Sequence, residues 1–285
     1  MGISFSGRIV ESGNLQLIES CIINNDAKLY QRTCDAILSN FRDAIEGKNA
    51  PSRSTYELSL GKAPRRIGNH YYFTGDTSGI NLAFKKAIKD SRNLNSRDLL
   101  LGSLGHELGH FYSTILFGPA NVAPMWEELI ADFMGGFLFG LDQDNNPQTE
   151  DMQLRGRLEY FPYLNRLNCQ KHPKYYQPIP ELGPEYFYEP LDGVHPFCAA
   201  RNLAIRMGFA KGSRFMDLTK GTPFASVFGF DPQTRPVSLP VLKQIFEEFK
   251  HNYRIAFYGD QKLQSVAYLL AQYNGDPAKV YLPDN

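Results

Sequence analysis

Two histidines and a glutamate within residues 106–110 have the spacing of a metal site. The segment reads His106-Glu107-Leu108-Gly109-His110, which is the pattern HExxH. In an α-helix, residues four apart are offset by only about 40° around the axis, so the two histidines project from one face and can bind one ion. Glu107 is not expected to bind the ion, but it can accept a proton from a water molecule held there. Because five residues match by chance in many chains, the two histidines could also be ordinary helix residues.

A hydrolytic zinc site needs three protein ligands and one open position, so a third ligand must be found. Positions 113 and 116 hold Ser113 and Leu116, which excludes a third histidine at the spacing HExxHxxGxxH. The next helical segment carries Glu127, Glu128 and Asp132. The last two are four residues apart and share a face of an otherwise apolar helix. Burying two carboxylates is costly unless they have partners, and a metal with its histidines would supply those partners.

The two motifs together resemble a known family. HExxH followed on the next helix by ExxxD resembles the gluzincin zinc peptidases, in which the glutamate is the third ligand and the aspartate orients a ligand histidine. The resemblance implies that Glu128 binds the metal and that Asp132 holds His106. Glu127 is the rival ligand, but Ala131 stands four residues after it, so the pattern favours Glu128.

A third motif narrows this resemblance. Residues 195–201 read HPFCAAR, and HPxxxxR downstream of the other two motifs resembles the branch of CAAX prenyl proteases and HtpX-like proteases. The resemblance implies that His195 stabilises the reacting carbonyl and that Arg201 is a structural or substrate-orienting cation. Without it, Pro196 would simply start a helix, with His195 near the cap and Arg201 exposed to solvent. Tyrosines that could replace His195 are Tyr160, Tyr163, Tyr175, Tyr176, Tyr186 and Tyr188.

The elements that must position these residues are mostly helical. Apolar periodicity predicts a helix over 97–117, ended by Gly118 and Pro119, and a second helix from Pro124 to about residue 141. Glycines inside the first helix permit close approach by a neighbouring helix or by a substrate strand; they are Gly102, Gly105 and Gly109. Further helices are predicted at 15–46, 80–90, 150–168, 196–207, 239–254 and 260–273. Strands are predicted only in the first third, at 55–60 and 69–74, and residues 170–190 are predicted to be a long irregular loop.

These elements predict a mainly helical α+β fold. We expect a zincin-like catalytic core with an active-site helix, a second ligand-bearing helix and a small N-terminal sheet. The 285 residues are interpreted as a single domain. Its parts are an N-terminal helical extension over 1–50, the catalytic core over 51–210 and a C-terminal helical part over 211–285.

Composition and charge exclude several classes of protein. Thirty basic and thirty acidic residues give a formal net charge of zero, which argues against nucleic acid as the main partner. The four cysteines form no CxxC pair and are interpreted as reduced thiols. No apolar run reaches the length of a membrane-spanning helix, and the N-terminus lacks the pattern of a secretory signal. We therefore expect a cytoplasmic protein, or one exported without a conventional signal peptide.

The sequence predicts a soluble metalloprotease that binds one Zn²⁺ per chain and hydrolyses a protein or peptide substrate. Glu107 is the expected general base, and His195 is the second catalytic candidate. One alternative is a zinc amidohydrolase that acts on a non-protein substrate. Another is a binding or regulatory module that keeps the fold without turnover, although Glu107 would be dispensable in such a protein.

Overall fold

The computed structural model describes residues 56–58, 65–67, 70–73, 96–118, 121–141, 176–182, 188–219 and 239–274. These residues are mainly helical, as the sequence predicts. The helices are α1 (Ser96–Phe117), α2 (Pro124–Leu141), α3 (Cys198–Thr219), α4 (Leu239–Gly259) and α5 (Gln261–Asn274). The strands are β1 (Tyr56–Leu58), β2 (Arg65–Ile67), β3 (His70–Phe73), β4 (Tyr176–Pro178) and β5 (Tyr188–Pro190), and a 3₁₀ turn spans Pro180–Leu182. The helices predicted at 15–46, 80–90 and 150–168 lie outside the described residues, as does the predicted extension over 1–50.

The strands form two small groups. In the first third of the chain, β3 pairs in parallel with β1 and antiparallel with β2. Later in the chain, β4 and β5 form an antiparallel ribbon in which Gln177 lies opposite Glu189. The prediction that strands occur only in the first third is therefore wrong. Each strand of the ribbon has three residues and ends at a proline, which cannot donate a ladder hydrogen bond, so the sequence carries no alternating pattern long enough to detect.

The helix α2 is the centre of the described core. It is buried on nearly all sides, because α1 packs against one side, α3 against another and α4 against a third. An apolar face of α2, which includes Trp126 and Phe133, packs against aromatic residues of α4. The ring of Phe249 is stacked 4.3 Å from that of Phe133, and the ring of Tyr253 lies edge-on 5.6 Å from that of Trp126. The carboxylate-bearing face of α2 is consequently held between α1 and α3.

Glycines allow α2 and α3 to touch along their backbones. A Cβ atom at Gly136 would overlap the carbonyl oxygen of Ile205, and a Cβ atom at Gly208 would overlap that of Phe133. Because these oxygens belong to helix backbone, neither overlap can be relieved by moving a side chain. The two helices therefore approach more closely than any larger residue would permit.

The same contact explains why α3 is longer than the sequence predicts. The helix was expected to end near residue 207, but it continues to Thr219. Gly208 does not end α3, because its missing side chain serves the contact with α2. The predicted boundary between the core and the C-terminal part, at residue 210, consequently falls inside this helix.

The ends of the first two helices agree with the sequence. After α1, Gly118 adopts a positive φ of 88°, and its N–H donates to the carbonyl of Thr114 at 3.0 Å. Pro124 then opens α2, where the absence of an N–H has no cost. Among the described helices, none combines the length and the apolar character that a membrane crossing requires.

Replacing Gly208 by alanine should weaken the contact between α2 and α3. We expect Gly208→Ala to lower the free energy of unfolding by about 1–3 kcal/mol, the usual cost of overpacking a core. Gly259→Ala is the matched control, because among the described residues no atom beyond its own helix and its chain neighbours lies within 4 Å of a Cβ placed there. Urea denaturation of both variants checks this, and equal midpoints would contradict the role given to Gly208.

Candidate metal centre

Two histidines of α1 bring their Nε2 atoms together. His106 and His110 are one helical turn apart, and their Nε2 atoms are separated by 3.1 Å. Their ring planes are inclined at 89°, with the ring centroids 4.7 Å apart. Between them in the chain lies Gly109, where a Cβ atom would overlap the Cα of Ala131 on α2. This glycine therefore serves tight packing between the two helices, and both histidines are held close to α2.

Glu128 on α2 completes a triangle of donor atoms. Its Oε2 lies 3.5 Å from Nε2 of His106, and its Oε1 lies 3.4 Å from Nε2 of His110. These three residues, which we call the donor group, could hold a metal ion, because their ligand atoms lie within 4.8 Å of one another. In a tetrahedral zinc site with bonds of about 2.0–2.1 Å, two ligand atoms are about 3.3 Å apart. The spacing of these side chains fits such an ion, and the sequence predicted the same three residues.

Asp132 fixes the ring of His106. Nδ1 of His106 donates to Oδ1 of Asp132 at 2.9 Å. The same carboxylate accepts from Nε of Arg201 at 2.7 Å and from its Nη2 at 3.0 Å. Because Asp132 is an acceptor throughout, the proton shared with the imidazole belongs to Nδ1. The lone pair on Nε2 is left facing Glu128, which is the arrangement of a metal-ligating histidine supported by a carboxylate.

Arg201 is buried, with only 7% of its surface exposed. Besides its two bonds to Asp132, its Nη2 lies 3.4 Å from Oε2 of Glu128. Burial alone would raise the pKa of Asp132, but the charge of Arg201 and the contact with His106 lower it. Arg201 is therefore not the solvent-exposed residue that the sequence left as an alternative. Its contacts are those of a structural cation.

The group of donor atoms lies in a negative electrostatic field. Burial disfavours a charge on His110, yet the carboxylate of Glu128, with smaller effects of Glu107 and Glu127, raises its pKa to about 9. Burial also opposes ionisation of Glu128, but His110, His106 and Arg201 hold its pKa well below the ordinary value. Glu128 is consequently an anion at neutral pH. The field that favours a proton on His110 would equally favour a bound cation.

Two further glutamates border this group without belonging to it. Glu107 follows His106 on α1, is partly buried and lies close enough to His110 to raise its pKa. Glu127 is also partly buried, and burial raises its pKa while the charge of His110 opposes that shift. The carboxylate of the donor group comes from Glu128 rather than from Glu127, as the sequence pattern favours.

His195 lies at the edge of the group and is held by Asp192, which sequence reasoning missed. Nδ1 of His195 donates to Oδ2 of Asp192 at 2.6 Å, while Oδ1 accepts the backbone N–H groups of Val194 and His195. Nε2 of His195 faces Oε1 of Glu128 at 3.9 Å. Burial disfavours a charge on His195, but Asp192 and Glu128 raise its pKa. Asp-Gly pairs are typical of turns, and Gly193 has a φ of 75°. The sequence Asp192-Gly193 therefore indicated a turn just before His195.

Glu189 on β5 is a second residue that sequence reasoning missed, and no motif marks it. It is fully buried, and its Oε2 accepts the backbone N–H of Cys198, the first residue of α3, at 2.8 Å. Burial raises its pKa to about 8, although the contact with Cys198 and the charge of Arg201 oppose the shift. Cys198 is also buried and forms no disulfide.

The structure does not describe the side chains of the six tyrosines that could replace His195. Tyr176 and Tyr188 begin β4 and β5, where the structure describes the backbone. The remaining four tyrosine candidates lie outside the described residues. Tyr253, which the sequence did not single out, is buried nearby, and its hydroxyl donates to the carbonyl of Ala200 at 3.2 Å.

Removing the carboxylate of the donor group should release the metal. We expect about one zinc per chain in the wild type and a loss of affinity above 100-fold in Glu128→Gln. Loss of a residue that merely supports a ligand already costs about 10–100-fold. Glu127→Gln is the control, because it changes the neighbouring glutamate and leaves the group intact. Zinc content after equilibrium dialysis is the measurement, and equal zinc in Glu128→Gln and wild type would contradict the assignment.

Comparisons with known proteins identify no family for this chain. No protein-family model, no curated protein and no solved structure matches the chain. What can be concluded about the site therefore comes from its own side chains. They are a group of two histidines and a glutamate that could hold a metal ion, an aspartate and an arginine that support it, and a histidine at its edge.

Proposed function

We propose that this protein is a zinc-dependent hydrolase of peptide bonds. The proposal is carried by one observation: the Nε2 atoms of His106 and His110 lie 3.1 Å apart, and each lies within 3.5 Å of a carboxylate oxygen of Glu128, which are the separations of a tetrahedral site. Two imidazole nitrogens and one carboxylate oxygen are a ligand set that catalytic zinc uses, and they leave a fourth position open. The resemblance of the three sequence motifs to gluzincin peptidases supports the same reading.

The choice of zinc rests on the donor atoms. Calcium and magnesium prefer shells made of oxygen ligands, whereas zinc accepts imidazole nitrogen readily. When bound at such a site, zinc supplies a lowered pKa for a coordinated water and polarises a carbonyl group. The remaining chemistry falls to the side chains of this chain.

Glu107 is the proposed general base. It stands next to His106 in α1, and its charge reaches His110, so its carboxylate borders the donor group without belonging to it. A carboxylate there can take a proton from the attacking water and return it to the leaving amine. Positioned general acids and bases of this kind contribute about 10²–10⁴-fold to a rate.

His195 is the proposed donor to the oxygen that becomes negative during the reaction. Asp192 holds its Nδ1–H, which turns Nε2 toward Glu128 and therefore toward the donor group. From that edge a protonated imidazole can donate from Nε2 to a developing oxyanion, and donors of this kind are most effective when already oriented. Arg201 acts through Asp132 and Glu128, since its buried guanidinium bonds to both carboxylates.

Replacing Glu107 by glutamine should separate metal binding from catalysis. The zinc-loaded wild type is incubated with a peptide pool of defined sequences, and new termini are read by mass spectrometry. We expect Glu107→Gln to keep about one zinc per chain and to cleave about 10²–10⁴-fold more slowly. A wild type that holds zinc but cleaves no peptide would contradict the protease assignment and favour the binding module. Equal cleavage by both proteins would contradict the role of Glu107.

A further inference from the structure

The segment between β5 and α3 carries His195 and is closed by one side chain. Glu189 lies in β5, before the segment, and Cys198 begins α3, after it. Oε2 of Glu189 accepts the N–H of Cys198 at 2.8 Å. The carboxyl group of Glu189 therefore joins the two ends of the segment in which Asp192 and His195 lie.

This contact is not an ordinary helix cap. The residue before α3 is Phe197, which has no oxygen in its side chain to accept a hydrogen bond, whereas Ser, Thr, Asp or Asn are usual at that position. A glutamate from the neighbouring ribbon supplies the acceptor instead. Glu189 is fully buried, and within the described part of the chain its Oε1 has no hydrogen-bond partner. Burial of a carboxyl group is costly, and a side chain at the N-cap position would bond the N–H of the second or third helical residue rather than that of Cys198.

The first turn of α3, which Glu189 contacts, also carries Arg201, and Arg201 supports the donor group. The N–H of Arg201 donates to the carbonyl of Phe197 at 3.1 Å, which is the first bond of α3. The side chain of Arg201 then binds Asp132 on α2. Glu189 thereby holds the start of α3, the turn from which Arg201 reaches inward. The same contact fixes the distance between that turn and β5, the strand before His195.

We propose that Glu189 is a positioning residue, whose buried carboxyl fixes the His195 segment against α3 and so keeps Nε2 of His195 facing the donor group. The inference rests on the proposed function, because it gives His195 a part in the reaction. It assigns no contact between Glu189 and substrate or metal. Since the pKa of Glu189 is raised to about 8, its carboxyl is mostly protonated at pH 7, and glutamine is a close replacement.

A double-mutant cycle tests whether Glu189 acts through His195. Initial rates on a quenched fluorescent peptide pool are measured for wild type, Glu189→Ala, His195→Ala and the double variant, each with its zinc content and melting temperature. We expect Glu189→Ala to keep zinc and to lose about 10-fold or more in kcat, with a small change in KM. In the His195→Ala background the same change should cost less than about 2-fold, because there is no longer an imidazole to position.

Two further variants separate positioning from general damage. Glu189→Gln keeps an oxygen for the N–H of Cys198 and should recover activity to within about 3-fold of wild type. Glu247→Ala is the matched control, because Glu247 is exposed on α4. A rate loss in Glu189→Ala that is equally large with and without His195 would overturn the proposal, and so would a Glu189→Ala variant as active as wild type.

An NMR measurement tests the positioning role of Glu189 even if no peptide is cleaved. In the zinc-loaded protein with ¹⁵N-labelled histidine, the ring nitrogens of His195 are identified by their absence in His195→Ala. We expect these signals to shift in Glu189→Ala and to stay in place in Glu189→Gln and Glu247→Ala. Unchanged signals in Glu189→Ala would overturn the positioning role. Absence of cleavage by the wild type with the expected shifts would count against the proposed function alone.

Discussion

A buried ion pair between Arg201 and Asp132 ties together the three helices of the site. Asp132 on α2 accepts two hydrogen bonds from Arg201 on α3, and it accepts a third from His106 on α1. Buried ion pairs add little net stability, because desolvation offsets their attraction, but breaking one leaves an uncompensated charge. Because its bonds join side chains of α1, α2 and α3, the pair constrains how these three helices are rotated relative to one another.

Much of the donor group could be predicted from the sequence because it is local. The spacing of His106 and His110 places them on one helical face whatever the rest of the chain does. Two carboxylates on an apolar helix must find partners, which pointed to Glu128 and Asp132. The bounds of α1 and α2 followed from a glycine with positive φ and a proline at a helix start. Local rules of this kind apply before any tertiary contact is known.

The rest depends on contacts between residues far apart in the chain. Burial of Arg201 depends on how α3 crosses α2, and a sequence pattern cannot distinguish it from an exposed helix residue. Gly208 directly follows the predicted end of α3 at residue 207, and its contact with Phe133 exists only once α2 and α3 are packed together. Glu189 carries no motif, because the N–H that it binds belongs to the backbone of Cys198, and every residue except proline provides such a group. The strands of the short ribbon are likewise defined by pairing with each other.

We propose that two imidazole nitrogens and a carboxylate oxygen bind one zinc ion. Zinc K-edge X-ray absorption on the protein as purified tests this directly, since it reports the ligand elements and their distances. We expect nitrogen and oxygen neighbours at about 2.0–2.1 Å, with outer-shell scattering from two imidazole rings. Sulfur neighbours at about 2.3 Å, or a zinc edge without imidazole scattering, would contradict it.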